Sequence, residues 1–209
     1  MPNAKELWAE ATVQDGIAHQ RDAQLTWWSI LQGIAMGEFI MRLPTFFSDA
    51  WRLKEYYVFA FIVATFLLLV NVWVQMAWAI IILRWPLSIT HVMLTSVLGI
   101  VCVFLTETVM TPLQWLEAAI VLGITGVGGY AYNWVRGAYT WRDKKARWAP
   151  IVETIIYVVV LGVIAWWVHG WPTQLSFYAS GVIALIVSGI ALRSQSVRMK
   201  KERKAVHLP

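Results

Sequence analysis

The chain has 209 residues, of which 59% are hydrophobic and only 14% charged, with a mean hydropathy of +0.59. Soluble domains carry about 45–50% apolar and about 25% charged residues, which argues against a soluble enzyme or a disordered chain. Cys102 is the only cysteine, so a disulfide scaffold is excluded. Net charge is +5, but the basic residues stand at the ends of apolar runs, which points to membrane topology and not to nucleic acid.

In chain order, residues 1–24 form a polar segment that can lie as a surface helix and is too polar for a cleavable signal peptide. Six apolar runs follow, each read as a membrane helix. The first covers 25–43 and is expected to stop at Pro44. The second covers 56–85, before Pro86. At about 45 Å it exceeds a hydrocarbon core of about 30 Å, so it must tilt, protrude or break, and a break, if that is the answer, would fall around Asn71. The third covers 89–106, the fourth 113–135 after Pro112, the fifth 151–171 after Pro150, and the sixth 175–192. Proline at these boundaries fits its missing N–H and fixed φ. Residues 193–209 are read as a basic cytoplasmic tail. The expected fold class is thus an all-α integral membrane protein of the cell membrane, a bundle of about six transmembrane helices with both termini cytoplasmic.

The positive-inside rule supports that count. Six spans place 14 of the 17 Lys and Arg residues inside and leave only Arg42, Arg52 and Lys54 outside, whereas laying the first segment on the surface reverses the balance. Many of the 14 tryptophans, among them Trp51, Trp115, Trp148, Trp166 and Trp171, fall near expected span ends, as interfacial belts do.

The first helix carries the least ordinary pattern. Gln24, Trp28, Gln32, Ala35, Glu38 and Arg42 recur at spacings of three and four and share one face. An ionisable residue at the centre of a span costs about 2.5–3.5 kcal/mol, so this face is expected to meet a water path or a partner. Pairing of Glu38 with Arg42 along the helix is the plainer alternative. Asn71 and Gln75 are again four apart. They are either part of a polar site opposite the first helix or an interhelical hydrogen bond worth about 0.6 kcal/mol. Gly123 and Gly126 in the fourth helix, and Ser176, Ser180 and Ser188 in the sixth, are expected as close-packing positions.

Catalytic and cofactor patterns are missing from the sequence. His91 and His169 fall at opposite ends of the expected bundle and cannot share a heme iron, and no metal, nucleophile or phosphate-loop motif is present. No cofactor and no enzymatic activity are therefore expected. Glu117 and Glu153 are placed near helix starts, where a negative charge suits the dipole.

Phe46-Phe47-Ser48-Asp49 resembles the Phe-Ser-Asp signature of a small six-span potassium-channel family, in which the motif lies inside the first helix and an apolar run follows. Here Ala50-Trp51-Arg52-Leu53-Lys54 follows, in an expected loop, and no family is assigned on it.

The expected function is a small homo-oligomeric channel or transporter whose first helix lines the path, or else a non-catalytic accessory subunit of a larger membrane complex. The expected partners are membrane lipids, a second copy or another membrane protein. Arg193, Arg198, Lys200, Lys201, Arg203 and Lys204 would meet anionic headgroups.

Overall fold

The computed structural model describes residues 4–82, 89–135 and 144–205. Every regular element among them is an α-helix: α1 (Ala4–Leu53), α2 (Val58–Ile82), α3 (Ile89–Glu107), α4 (Pro112–Val135), α5 (Lys144–Gly170) and α6 (Gln174–Ala205). Among the described residues, three stretches are long and apolar enough to cross a membrane: Val58–Ala77, Trp148–Gly170 and Gln174–Lys200. In α3 the apolar stretch Val92–Glu107 is shorter. Helix is the backbone state such sequences need, because lipid offers no partner for an open N–H or C=O.

Side-chain proximities fix the directions. Phe47 stacks near Phe59 and Phe39 near Phe66, with ring centroids 5.4 and 6.5 Å apart, so α1 and α2 run antiparallel. Leu31 lies opposite Gly99, and Arg42 reaches Glu107, so α1 and α3 run parallel. The turns after α1, α3 and α5 consequently gather at one end of the bundle, here the turn end. Contacts close a ring in the order α1–α3–α4–α5–α6–α2 and back to α1, while α2 and α4 also touch across it. That crossing is pinned by Trp115, fully buried, whose indole N–H donates to Thr65 Oγ1 over 2.7 Å and whose ring meets Phe61 edge-on.

Four helix pairs approach closely at glycine, among them α3 on α1 at Gly99 against Leu31 and α4 on α3 at Gly129 against Leu94. A Cβ on Gly123 would stand 2.5 Å from Val158 Cγ2, so only glycine lets α4 and α5 reach this distance. Gly181 does the same for α6 against α2, where an added Cβ would lie 3.1 Å from that of Ala60. Gly126 is looser, its nearest neighbour, Thr154 Cγ2, lying 4.0 Å from such a Cβ.

Several sequence expectations need correction. The first helix does not stop at Pro44: it runs on to Leu53, and Phe46-Phe47-Ser48-Asp49 is helical and not a loop. An interior proline loses one backbone hydrogen bond and costs about 3 kcal/mol. Burial of Phe46 and Ala50 on the face already carrying Ala35 and Phe39 offsets that cost. Pro150 likewise lies inside α5, which begins at Lys144. Helix α2 passes Asn71 unbroken. Residues 4–24 and 193–205 continue α1 and α6 as helix, with no break at the expected segment boundaries. Trp115 belongs to the core and not to an interfacial belt. Arg84, Trp85 and Pro86, the basic stretch 136–143, and the side chains of His91, Lys201, Arg203 and Lys204 lie outside the described residues.

The end of α1 shows what local sequence can force. Glu55 N–H donates to Ala50 O over 2.9 Å and Lys54 N–H to Trp51 O over 3.3 Å, the paired bonds of a Schellman cap. Lys54 supplies the left-handed residue, with φ of 57°, where glycine is the unstrained choice.

Candidate functional site: the polar stripe of the first helix

The stripe foreseen on α1 faces the interior of the same chain. Gln24 and Gln32 are each 3% exposed, and Trp28 and Ala35 are fully buried. The opposite face shows Ile30, Ile34, Ile40 and Met41 to the outside. From Gln24 to Arg42 the stripe rises about 27 Å, close to a hydrocarbon core of about 30 Å.

Its turn end is charged. Arg42 Nε donates to Glu38 Oε1 in a close contact, and Arg42 Nη2 lies 3.4 Å from Glu107 Oε1 at the end of α3. All three side chains are partly open to the surroundings. Glu38 and Arg42 thus meet as the four-residue spacing allows, and Glu107 completes the group. Nothing in the sequence pairs Glu107 with α1 except its place at the end of a parallel neighbour.

Deeper in, the stripe is neutral. Gln32 Nε2 donates to Leu69 O of α2 over 2.9 Å, which fixes the amide orientation and leaves Oε1 buried with no partner. Gln24 Oε1 and Nε2, together with Trp28 Nε1, are also buried without one. A buried polar atom left unpaired costs about 1–3 kcal/mol, and native chains hold few of them. Here four fall on two turns of a single helix face.

Asn71 and Gln75 meet on α2, Gln75 Nε2 lying 3.4 Å from Asn71 Oδ1. Tyr130 of α4 adds its hydroxyl, which donates to Gln75 Oε1 over 2.9 Å. This amide group is apart from Glu38 and Arg42, and Gln32 joins α2 through the Leu69 carbonyl. The three serines expected as packing positions in α6 use their hydroxyls locally. Ser180 donates to Phe177 O and Ser188 to Ala184 O. Ser176 exchanges backbone-to-side-chain bonds with Thr173, a capping box at the start of α6.

A second polar cluster, at the α5–α6 contact, was missed by sequence reasoning. Glu153 accepts from Tyr157 OH at 2.5 Å and from Ser194 Oγ at 2.8 Å, and its Oε2 lies 3.1 Å from Arg198 Nη1. Arg198 Nη2 donates to Gln195 Oε1, while Nε and Nη1 make no hydrogen bond. Both charges are about four-fifths buried and lie within the apolar stretches Trp148–Gly170 and Gln174–Lys200. Glu153 therefore pairs between helices and is not in the first turn of α5, nor is Glu117 in that of α4. Arg198 is held by Glu153, while Arg193 and Lys200 are exposed. The signal was legible as Glu153-x3-Tyr157 facing Ser194-x3-Arg198 on consecutive helices. Ending the sixth span at residue 192 hid it.

At the turn end an open cleft of about 480 Å³ lies between the three turns, lined by Tyr57, Thr111, Pro112, His169, Pro172 and Phe177 among others. Burial there pushes the Tyr57 hydroxyl up to about 12, with the Glu55 charge adding to the effect. Among the residues described, no group of three His, Cys, Asp or Glu gathers that could hold a metal.

No family model, curated protein or solved structure matches this chain.

Proposed function

We propose that the chain is a six-span protein of the cell membrane with both termini cytoplasmic, and that it works as a channel or transporter whose route runs along the α1 stripe. The observation that carries this reading is the set of four unpaired polar atoms on Gln24, Trp28 and Gln32, buried on a stripe about as long as the membrane is thick. Keeping them is costly for folding alone, since leucine or phenylalanine would fill the same face at no polar cost. A route that strips a solute of water needs such groups. The route would lie inside one protomer, because the stripe packs on α2 and α3 of its own chain.

The topology has a direct test. Cys102 is fully buried, so single cysteines can be introduced against a quiet background. Ser48→Cys and Thr173→Cys should react with an impermeant reagent outside intact cells, and Ser196→Cys should not. Reaction at Ser196 from outside would rule the topology out. The route is tested in reconstituted vesicles, where solute flux should fall in Gln24→Leu and Gln32→Leu proteins that melt like the parent.

One observation favours the second reading, an accessory subunit of a larger membrane complex. Helix α1 begins at Ala4, and its register with Gly99 and Phe66 brings the starts of α3 and the end of α2 level with about residue 21. About 25 Å of α1 backbone thus extends past the described ends of α2 and α3 at the end opposite the turns, and this reading gives it to another protein. On this reading, removal of residues 4–18 should release a co-purifying membrane protein and leave any flux unchanged.

A further inference from the structure

We propose that the solute which uses the α1 stripe is a small, uncharged, hydrogen-bonding molecule of the urea or glycerol kind, and not an ion. The inference rests on the route proposed above and adds its substrate class.

The unpaired atoms are of both polarities. Gln24 Nε2 and Trp28 Nε1 can only donate, while Gln24 Oε1 and Gln32 Oε1 can only accept. The Gln32 assignment is fixed by its neighbour, because Leu69 O can only accept and so must face the NH2 group. A molecule carrying both hydroxyl or amide donors and acceptors satisfies such a ladder at every step. A cation would be repelled at the two donors, and an anion at the two carbonyl oxygens.

Charge points the same way. Helix α1 packs on α2 and α3. Residues 23–37 of α1, 58–82 of α2 and 92–106 of α3 contain no Asp, Glu, Lys, Arg or His. An ion in this part of the bundle would have no countercharge, and a transported proton would have no histidine or carboxylate to occupy. The two free carbonyl oxygens, on Gln24 and Gln32, are about 12 Å apart along the axis, too far to share one ion, which takes six or more oxygens in the hard-cation sites known. The nearest amides across the contact, Asn71 and Gln75, and the Tyr130 hydroxyl are neutral as well. Among the described side chains, charge stands at the two ends of the stripe, Asp22 exposed at one and Glu38, Arg42 and Glu107 at the other, while Glu153 and Arg198 are on helices that α1 does not contact.

The test uses the full-length protein in vesicles of phosphatidylcholine and phosphatidylglycerol. Entry of urea and of glycerol is followed by light scattering after an osmotic step, and entry of K⁺, Na⁺ and H⁺ by fluorescent indicators. The expected result is urea or glycerol entry well above protein-free vesicles with no ion entry. Gln32→Leu should lower that entry about tenfold, the factor that corresponds to one lost hydrogen bond in the rate-limiting step. Trp28→Phe removes only the indole N–H and nearly keeps the volume, so it decides the matter should Gln32→Leu fail to fold. Arg52→Gln, off the stripe and paired only with Asp49 at the turn end, should leave neutral-solute entry unchanged. Ion entry that Gln24→Leu abolishes would keep the route and overturn the neutral class. Absence of every flux in protein with a cooperative melt would overturn both.

Discussion

The α1 stripe and the α5–α6 cluster are both polar, both buried and both on helices rich in aliphatic residues, yet they are opposite in kind. At the α5–α6 contact two charges neutralise each other, and Tyr157 and Ser194 fill further positions on the Glu153 carboxylate. On α1 the groups are neutral amides and an indole, and four of their atoms have no partner. A buried ion pair with hydrogen-bonded neighbours fixes how two helices sit together, because removing either member strands the other. Unpaired neutral groups hold nothing together. On the proposed reading they answer a demand from outside folding, which is why the proposed route is placed on α1 and not at the charged contact.

The largest expected effect is at the ion pair. Glu153→Leu leaves Arg198 buried without a countercharge and should destabilise by about 3–5 kcal/mol, read as a large fall in melting temperature in detergent. The double change Glu153→Leu with Arg198→Met should recover most of the loss. A single substitution as mild as those on α1 would erase the distinction between the two regions.

Gly123→Ala comes next. Its Cβ would meet Val158 Cγ2 at 2.5 Å, and overpacking of this kind costs about 1–3 kcal/mol. Val158→Ala in the same protein should restore the melt, which would show that α4 and α5 are held by shape where α5 and α6 are held by charge.

On α1 the sign reverses. Gln24→Leu removes two unpaired atoms and should be neutral or stabilising by about 1 kcal/mol, while lowering solute entry. Loss of several kcal/mol at this position would mean that Gln24 is structurally engaged after all. A smaller gain, up to about 1 kcal/mol, is expected for Lys54→Gly, which relieves the left-handed residue of the Schellman cap. It touches neither polar region and so calibrates the melting assay in the favourable direction.

Composition and periodicity determined the class of this protein. The lengths of the apolar runs depend only on local sequence, which is why α3 and α4 emerge within a residue or so of their expected bounds. The α1 stripe was legible for the same reason, since i, i+3 and i+4 spacing places residues on one helix face whatever surrounds it. Helix ends that depended on proline were not legible. Pro44 and Pro150 stop an isolated helix, but packing of Phe46 and Ala50 on one side of Pro44, and the start of α5 before Pro150, override that local rule. Spacing alone also could not say what the α1 stripe faces, or that Glu153 finds Arg198 forty-five residues away. Those outcomes are set by which helices become neighbours in the ring, and neighbour choice rests on long-range fit such as Gly123 against Val158 and Gly181 against Ala60. Local chemistry fixes what a helix offers on each face, and only the packed bundle decides which face is met, and by what.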